Sequence, residues 1–550
     1  MADYRPPLED IRFVLRNVVD LAALTDADAV DGLLEEAGRF FAQEIAPTNR
    51  AGDLEGLTLE DGAVTTPSGF KEAYRRYVDA GWGAVPFDPE YGGGGFPWLV
   101  AIALQEMITS ANMSFSMAPL LTQGAIEMLA HHASEAQRNE YLPNMVSGAW
   151  TGTMNLTEPQ AGSDVGAVRT KAEPRADGTY GITGQKIFIT FGEHDLTENI
   201  IHLVLARTPT APPGTKGISC FIVPKVLADG TRNAVTCVGL EHKMGIHASP
   251  TCVLAYEDAT GYLIGEENEG MRFMFTMMNN ARLSVGLQGL AIGERAYQDA
   301  RAYARERLQG RAPGTPPGTQ SPIVEHADVR RMLLTMRSLV EAMRGLVYLN
   351  AESIDLARAG DEARQELADL LTPITKGWCT DMGVEVTSLA VQVHGGMGYI
   401  EETGVAQHYR DARIPPIYEG TNGIQAMDLV GRKLPMRGGG VVKDLLARMG
   451  DGASPALADA VAAVGEATDW LIEHGLADPQ DALAGSVPYL RMWGVTLGSW
   501  LLARSAAAAG PGSDKEVVSR FFDAHVLPQA RAALPGVTAG AGVLYEIADL

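Results

Sequence analysis

Along most of residues 9 to 148 the apolar positions recur at helical spacing, as in Ala101-Ile102-Ala103-Leu104-Gln105-Glu106-Met107-Ile108. Gly92-Gly93-Gly94-Gly95 followed by Pro97 predicts a loop between helices. From about 150 the pattern changes to short runs rich in Val, Ile, Phe and Thr. These are Lys186 to Phe191, Ile200 to Ala206, Ile218 to Val223, Ala234 to Val238 and Thr251 to Tyr256. Gly, Pro, Asp or Asn bounds each run, which predicts β-strands in a small sheet or barrel. Long helical patterns return over Gly270 to Arg307 and Val329 to Ala359, separated by a Pro/Gly-rich loop from Gly310 to Pro322. Beyond Gly438-Gly439-Gly440 the chain is Ala-rich and again helical. The expected organisation is an extension over 1–38, a helical domain over 39–150, a β-domain over 151–265, a helical domain over 266–434 and an added helical domain over 436–550. Strands in one block, without β–α alternation, argue for an α+β fold and against a doubly wound parallel sheet.

Charge narrows the function. The 550 residues carry a formal charge of −24, and the chain repels a phosphate backbone. Four cysteines, none in C-x-x-C spacing, give no zinc or redox motif, and no metal is expected. So few thiols fit a reducing compartment. The N-terminus lacks the basic and apolar regions of a signal peptide, and the apolar stretch Met492 to Ala503 is too short to span a bilayer. A cytoplasmic protein is expected.

No G-x-G-x-x-G opens a helix after a strand, no G-x-x-x-x-G-K-[ST] occurs, and H-E-x-x-H is absent. His131 and His132 read as a polar helix end. Three segments are denser in chemistry. Thr157-Glu158-Pro159-Gln160-Ala161-Gly162-Ser163-Asp164 offers hydroxyls and backbone N–H groups to a polar ligand, or is simply a turn into the strands. In Gln185-Lys186-Ile187-Phe188-Ile189-Thr190, strand alternation puts Phe188 and Thr190 on one face, an aromatic wall and a hydroxyl for a flat cofactor, or an ordinary strand. In Tyr418-Glu419-Gly420-Thr421-Asn422-Gly423, a carboxylate precedes a helix starting near Gly423. Burial would make Glu419 a base near neutrality; the alternative is a Glu favourably facing the helix dipole.

These segments, in this order, resemble the acyl-CoA dehydrogenase family of flavoproteins over roughly residues 40 to 435. Thr157-Glu158-Pro159 with Ala161-Gly162-Ser163-Asp164 resembles its flavin-loop signature, Gln392-Val393-His394-Gly395-Gly396-Met397-Gly398 its second signature, and Tyr418-Glu419-Gly420-Thr421 its catalytic turn. The N-terminal extension, the added C-terminal helices, Gly192-Glu193-His194-Asp195-Leu196-Thr197 and Met244-Gly245-Ile246-His247-Ala248-Ser249 resemble a long subgroup that includes 3-methylthiopropanoyl-CoA dehydrogenases.

The resemblance implies FAD bound by helical and β-domains. Leu156 and Thr157 would meet the flavin pyrimidine, and Ser163 the flavin phosphates and the pantetheine. Phe188 stands where a Trp is usual against the ring, with Thr190 near its reactive nitrogen. Arg282 corresponds to the arginine that meets the CoA portion. Arg307 lies in Glu306-Arg307-Leu308-Gln309-Gly310, one residue shorter than the usual Glu-Arg-x-x-Phe-Gly and without its Phe. Arg307, Gln392, Gly395 and Gly396 would reach a neighbouring subunit's FAD, making the protein a homodimer, and Thr421 would meet the adenine side. Glu419 would be the base, with Tyr418 and Gly420 beside the substrate. The other base position known in the family is occupied by Ala281.

The expected activity is α,β-dehydrogenation of an acyl-CoA, with electrons passed to an electron-transfer flavoprotein. An acyl-CoA oxidase would use the same base with oxygen as acceptor. A DNA-associated flavoprotein on the same scaffold needs a basic C-terminal domain. Residues 436–550 hold eight basic against thirteen acidic side chains, so DNA is a poor partner.

Overall fold

A computed structural model describes residues 3–475 and 477–549. The chain divides into two compact units. One comprises residues 1–39, 97–110 and 282–550; the other comprises 40–96 and 111–281.

The second unit holds the sheet. Its strands are β1 (Thr58–Glu60), β2 (Ala63–Thr65), β3 (Trp150–Asn155), β4 (Lys171–Pro174), β5 (Tyr180–Thr190), β6 (Asn199–Ala206), β7 (Ser219–Pro224), β8 (Val235–Leu240) and β9 (Thr251–Leu263). β1 and β2 form a separate hairpin, and the others form one sheet in the order β3-β6-β7-β9-β5-β4 with β8 also paired to β9. β3 runs parallel to β6, and the remaining pairs are antiparallel. Each of the five expected strand runs falls on a strand, with Phe191, Ile218 and Ala234 just outside the strand ends. The periodicity missed the β1–β2 hairpin inside a helix-patterned stretch, and β3 and β4, whose short polar-mixed sequences carry no clear alternation. Buried Ile182, Ile189, Phe221, Val223, Leu254 and Tyr256 fill the core between the strands. Helices Met113–His132 and Glu135–Ser147 belong to this unit too; the first is capped by Asn112, the second by a reciprocal Ser134–Gln137 capping box. His131 and His132 end a helix as expected.

The first unit is helical. Helices Ala327–Arg358 and Glu362–His394 bury long apolar stretches, and the helix Gly270–Glu306 enters this unit at Arg282. Two of these helices cross through glycine. A Cβ on Gly289 would lie 2.1 Å from the Cys379 carbonyl oxygen, and one on Gly383 would lie 2.7 Å from the Gly289 Cα. Only hydrogen side chains allow backbones this close. The crossing fixes where Arg282 and Gln288 stand relative to Lys376. Helix Pro479–Ala509 packs on the same helix: a Cβ on Gly494 would meet Trp378 at 2.1 Å and one on Gly377 would meet Leu490 at 2.9 Å. The C-terminal helices thus cover a helix of their own chain. Beneath them lies a buried charge cluster in which Arg344 binds Glu106 at 2.7 Å and Glu294 at 2.8 Å, and the Tyr348 hydroxyl donates to Glu106 at 2.7 Å. Tyr4 of the N-terminal extension is buried and donates to the Met107 carbonyl at 3.0 Å. All four cysteines are buried and free. Among the described residues no helix is long and apolar enough to cross a membrane.

Candidate active site

The residues singled out in the sequence fall into three groups. The first is in the sheet unit. The Lys186 ammonium, fully buried, donates to the Leu156 carbonyl and to Glu158 Oε1, each at 2.9 Å. The Ile187 N–H donates to the Thr157 carbonyl at 2.9 Å. Glu158 also accepts from the Arg169 N–H at 2.7 Å, the Thr170 N–H at 3.0 Å and the Thr170 hydroxyl at 2.5 Å. Burial raises the Glu158 carboxyl, but the Lys186 ammonium, the Thr170 hydroxyl and the Arg169 amide overcome it and bring the group down to about 2. Burial pulls Lys186 down to about 8 against the attraction of Glu158. The loop from Leu156 to Asp164 is therefore clamped to the strand that carries Phe188 and Thr190.

That strand is not regular. Between Lys186 and Ile189 its register against β9 slips by a bulge, and Phe188 sits at φ 61°. The bulge breaks the alternation between Lys186 and Phe188; Phe188 is 57% exposed and Thr190 half-buried, with Ile189 buried between them. Leu156, Thr157 and Thr190 are half-buried and Ser163 is exposed. A large aromatic ring is thus held in solvent by a strained backbone, beside a clamped polar loop.

The second group surrounds Glu419. This residue adopts φ 57°, rare for a side chain of its size, and the following Gly420 adopts φ 84°. The positive φ of Gly420 favours glycine, and a Cβ there would also press on Gln425 Nε2 at 2.9 Å. The Gln425 amide donates to the Gly420 carbonyl at 3.2 Å and closes the turn. Thr421 caps the helix Asn422–Asp428, its hydroxyl oxygen accepting from the Ile424 N–H at 3.2 Å. The Tyr418 hydroxyl donates to Gln288 Oε1. Arg282 is buried and paired with Asp428 at 3.0 Å, within the electrostatic reach of Glu419. Burial raises the Glu419 carboxyl to about 7, opposed by the positive charges of Lys376 and Arg282. A half-buried carboxylate near neutrality in a strained turn is the arrangement a general base requires.

The third group is at the ends of two helices. Arg307 follows the helix Gly270–Glu306, and Gln392, Gly395 and Gly396 close the helix Glu362–His394; all four are exposed. Tyr303 stacks on His394 with ring centroids 4.2 Å apart and joins the two ends. A Cβ on Gly395 or Gly396 would meet nothing within 4 Å, so this is an open surface. Among the described residues no group of His, Cys, Asp or Glu is arranged to hold a metal.

Two buried lysines escaped the sequence reading as site residues. Lys376 follows the largely apolar run Leu370-Leu371-Thr372-Pro373-Ile374 and precedes Trp378-Cys379, and Lys186 is the one cation in the strand Tyr180–Thr190. A single cation in such a setting is the signal that marks them.

Comparison with known proteins places the chain in a family. Residues 28–149 match "Acyl-CoA dehydrogenase, N-terminal domain", 153–259 the middle domain, 268–434 the C-terminal domain and 443–548 "Acetyl-CoA dehydrogenase C-terminal like". The chain belongs to the acyl-CoA dehydrogenase family. It is 48% identical to a 3-methylmercaptopropionyl-CoA dehydrogenase of Ruegeria pomeroyi, over 95% of this chain and 94% of that protein. The solved butyryl-CoA dehydrogenase of Megasphaera elsdenii is 30% identical with a TM-score of 0.63, covering 74% of this chain and 98% of that one. An acyl-CoA dehydrogenase of Bacillus anthracis complexed with FAD is 21% identical and shares the fold, with a TM-score of 0.76 over 96% of this chain and 91% of that one.

Proposed function

We propose that the chain is an FAD-dependent acyl-CoA dehydrogenase that converts an acyl-CoA thioester to the trans-2-enoyl-CoA, with Glu419 as base. The observation that carries the assignment is Glu419 itself, a carboxylate raised to about 7 by burial and held by its turn at φ 57°. The exposed Phe188 ring and the clamped Leu156–Ser163 loop fit FAD. Leu156, Thr157, Phe188 and Thr190 would hold its ring and Ser163 its phosphates. Bound FAD supplies the hydride acceptance that no side chain can provide.

The protein's own residues do the rest. Glu419 takes the α-proton of the thioester, and its raised proton affinity makes that transfer less uphill than for an ordinary carboxylate. The Glu419 backbone N–H steadies the charge that develops on the thioester oxygen. Arg282, tied to Asp428, opposes protonation of Glu419, and Tyr418 and Gly420 shape the wall beside it. Arg307, Gln392, Gly395 and Gly396 form the surface that meets a second subunit's cofactor in a homodimer. Thr421 lies on the adenine side. Electrons leave to an electron-transfer flavoprotein, and the enzyme works in the cytoplasm. The proposed domains are 39–150, 151–265, 266–434 and 436–550.

For substrate we propose 3-methylthiopropanoyl-CoA, because the 48% identity spans the C-terminal helices as well as the dehydrogenase core. The test is a panel of short, medium and long acyl-CoAs plus 3-methylthiopropanoyl-CoA with a ferrocenium acceptor. Turnover highest on 3-methylthiopropanoyl-CoA supports the substrate, turnover highest on a straight-chain thioester replaces it, and no turnover on any thioester rejects the reaction.

A further inference from the structure

Lys376 is fully buried on the helix Glu362–His394. Its ammonium donates to Asn422 Oδ1 at 2.9 Å. Asn422 is held at its other end, its amide donating to the Gly377 carbonyl at 3.0 Å and to Asp381 Oδ1 at 2.7 Å, with the Thr380 hydroxyl also beside it at 3.0 Å. Asn422 lies three residues after Glu419, so the anchor and the base share one turn. The acceptor at this anchor is a neutral amide, which leaves the ammonium charge to be balanced by carboxylates.

We propose that Lys376 is a positioning residue for proton abstraction: its anchored ammonium pins the Tyr418–Asn422 turn and supplies the positive charge that keeps Glu419 ionised. The proposal rests on Glu419 being the base. The charged groups around the pair are few. Glu419 faces Lys376 and Arg282. Lys376 faces Glu419, Asp381 and Arg282. Arg282 is neutralised by Asp428, which also faces Arg432. Asp381 faces Arg491 and Arg413 as well as Lys376, and Tyr418 faces Asp411. Arg282 shares its charge with Asp428, whereas the Lys376 ammonium hydrogen-bonds a neutral amide, so Lys376 adds to the positive charge that Arg282 brings to Glu419. Burial brings Lys376 down to about 7, so its charge and that of Glu419 change over the same range.

The test compares wild type, Lys376→Met, Lys376→Arg, Asn422→Asp and Glu419→Gln, each purified with FAD. Two quantities are followed against pH: the rate of anaerobic flavin reduction by acyl-CoA, and the infrared carboxylic-acid band that Glu419→Gln abolishes. Losing a cation near a carboxylate shifts its titration by about 1 pH unit or more. Lys376→Met should therefore move the acid limb and the infrared midpoint upward by about that much, a roughly tenfold rate loss on the limb. Lys376→Arg, which keeps the charge, should stay near wild type. Asn422→Asp, which gives Lys376 its own carboxylate, should shift in the direction of Lys376→Met and carries the test if Lys376→Met does not fold. A merely structural lysine would lower the rate at every pH and leave both midpoints in place; that result overturns the proposal. Normal flavin reduction by Glu419→Gln rejects the base assignment instead, and the infrared midpoints still report on Lys376.

Discussion

Lys186 and Glu158, 28 positions apart, form an ion pair at 2.9 Å with both side chains buried, and the same ammonium reaches the Leu156 carbonyl. One cation thus sets the path of the Leu156–Asp164 loop. Removing one member of a buried pair leaves an uncompensated charge and costs about 3–5 kcal/mol. Lys186→Met is expected to lower stability by that order and to weaken FAD binding, read by denaturant unfolding and by flavin released on dilution. Tight FAD binding with wild-type stability would refute the clamp. The pH sense follows from Glu158, whose carboxyl is lowered to about 2 when folded. Its contribution is intact above the ordinary carboxylate range and is lost as pH falls from about 4.5 toward 2.

Glu419→Gln preserves shape and removes the proton acceptor. Flavin reduction by a good acyl-CoA should slow by about 10²–10⁴-fold or more. FAD should stay bound, since the Lys186–Glu158 clamp is untouched. Stopped-flow absorbance under anaerobic conditions reads both. A near-normal rate would remove Glu419 from the mechanism, while loss of FAD alone would make the residue structural.

The same residue links stability to pH. Folding raises the Glu419 carboxyl from 4.5 to about 7, so the folded state prefers the protonated form. Its contribution is complete below about 4.5 and is lost as pH rises through about 7, a change on the order of 1–3 kcal/mol. The stability difference between Glu419→Gln and wild type should therefore grow in favour of the variant from pH 4.5 to 7 and level off above. Denaturant midpoints at a series of pH values measure it, and a constant difference would contradict the burial argument.

Arg344 neutralises two buried carboxylates, Glu106 and Glu294. Burial raises the Glu106 carboxyl, and Arg344 is its main opponent. Arg344→Met leaves both carboxylates facing each other and should cost about 3–5 kcal/mol. Replacing Glu106 and Glu294 together with Arg344 by apolar residues should recover much of it. A single variant as stable as wild type would show that the cluster relaxes or is hydrated.

The proposed role of Arg307, Gln392, Gly395 and Gly396 toward a second subunit's FAD predicts assembly. Light scattering should give a mass of at least a dimer, and Gln392→Glu should weaken FAD binding without changing the Glu419 titration. A fully active, flavin-replete monomer would rule out a shared cofactor site.

The blocks of helix and strand, the Gly310–Pro322 loop and the turn bearing Glu419 were legible in the sequence, because periodicity and Gly/Pro punctuation are local properties of the chain. The motifs around Thr157, Gln392 and Glu419 were legible for the same reason: each is a contiguous string. Nothing local reveals that Lys376 meets Asn422 across 46 positions, or that Lys186 reaches Leu156 across 30. Those meetings are made where the helix Asn422–Asp428 packs on the helix Glu362–His394 and where the Leu156–Asp164 loop packs on the strand Tyr180–Thr190. The bulge separates Phe188 from the buried Lys186, two residues earlier, because one extra residue in a strand moves the later side chains to the other face. Sequence determined which groups are available for acid–base chemistry. Tertiary packing decided their strength, since desolvation and neighbouring charge, not residue type, bring a carboxyl and an ammonium to the same pH.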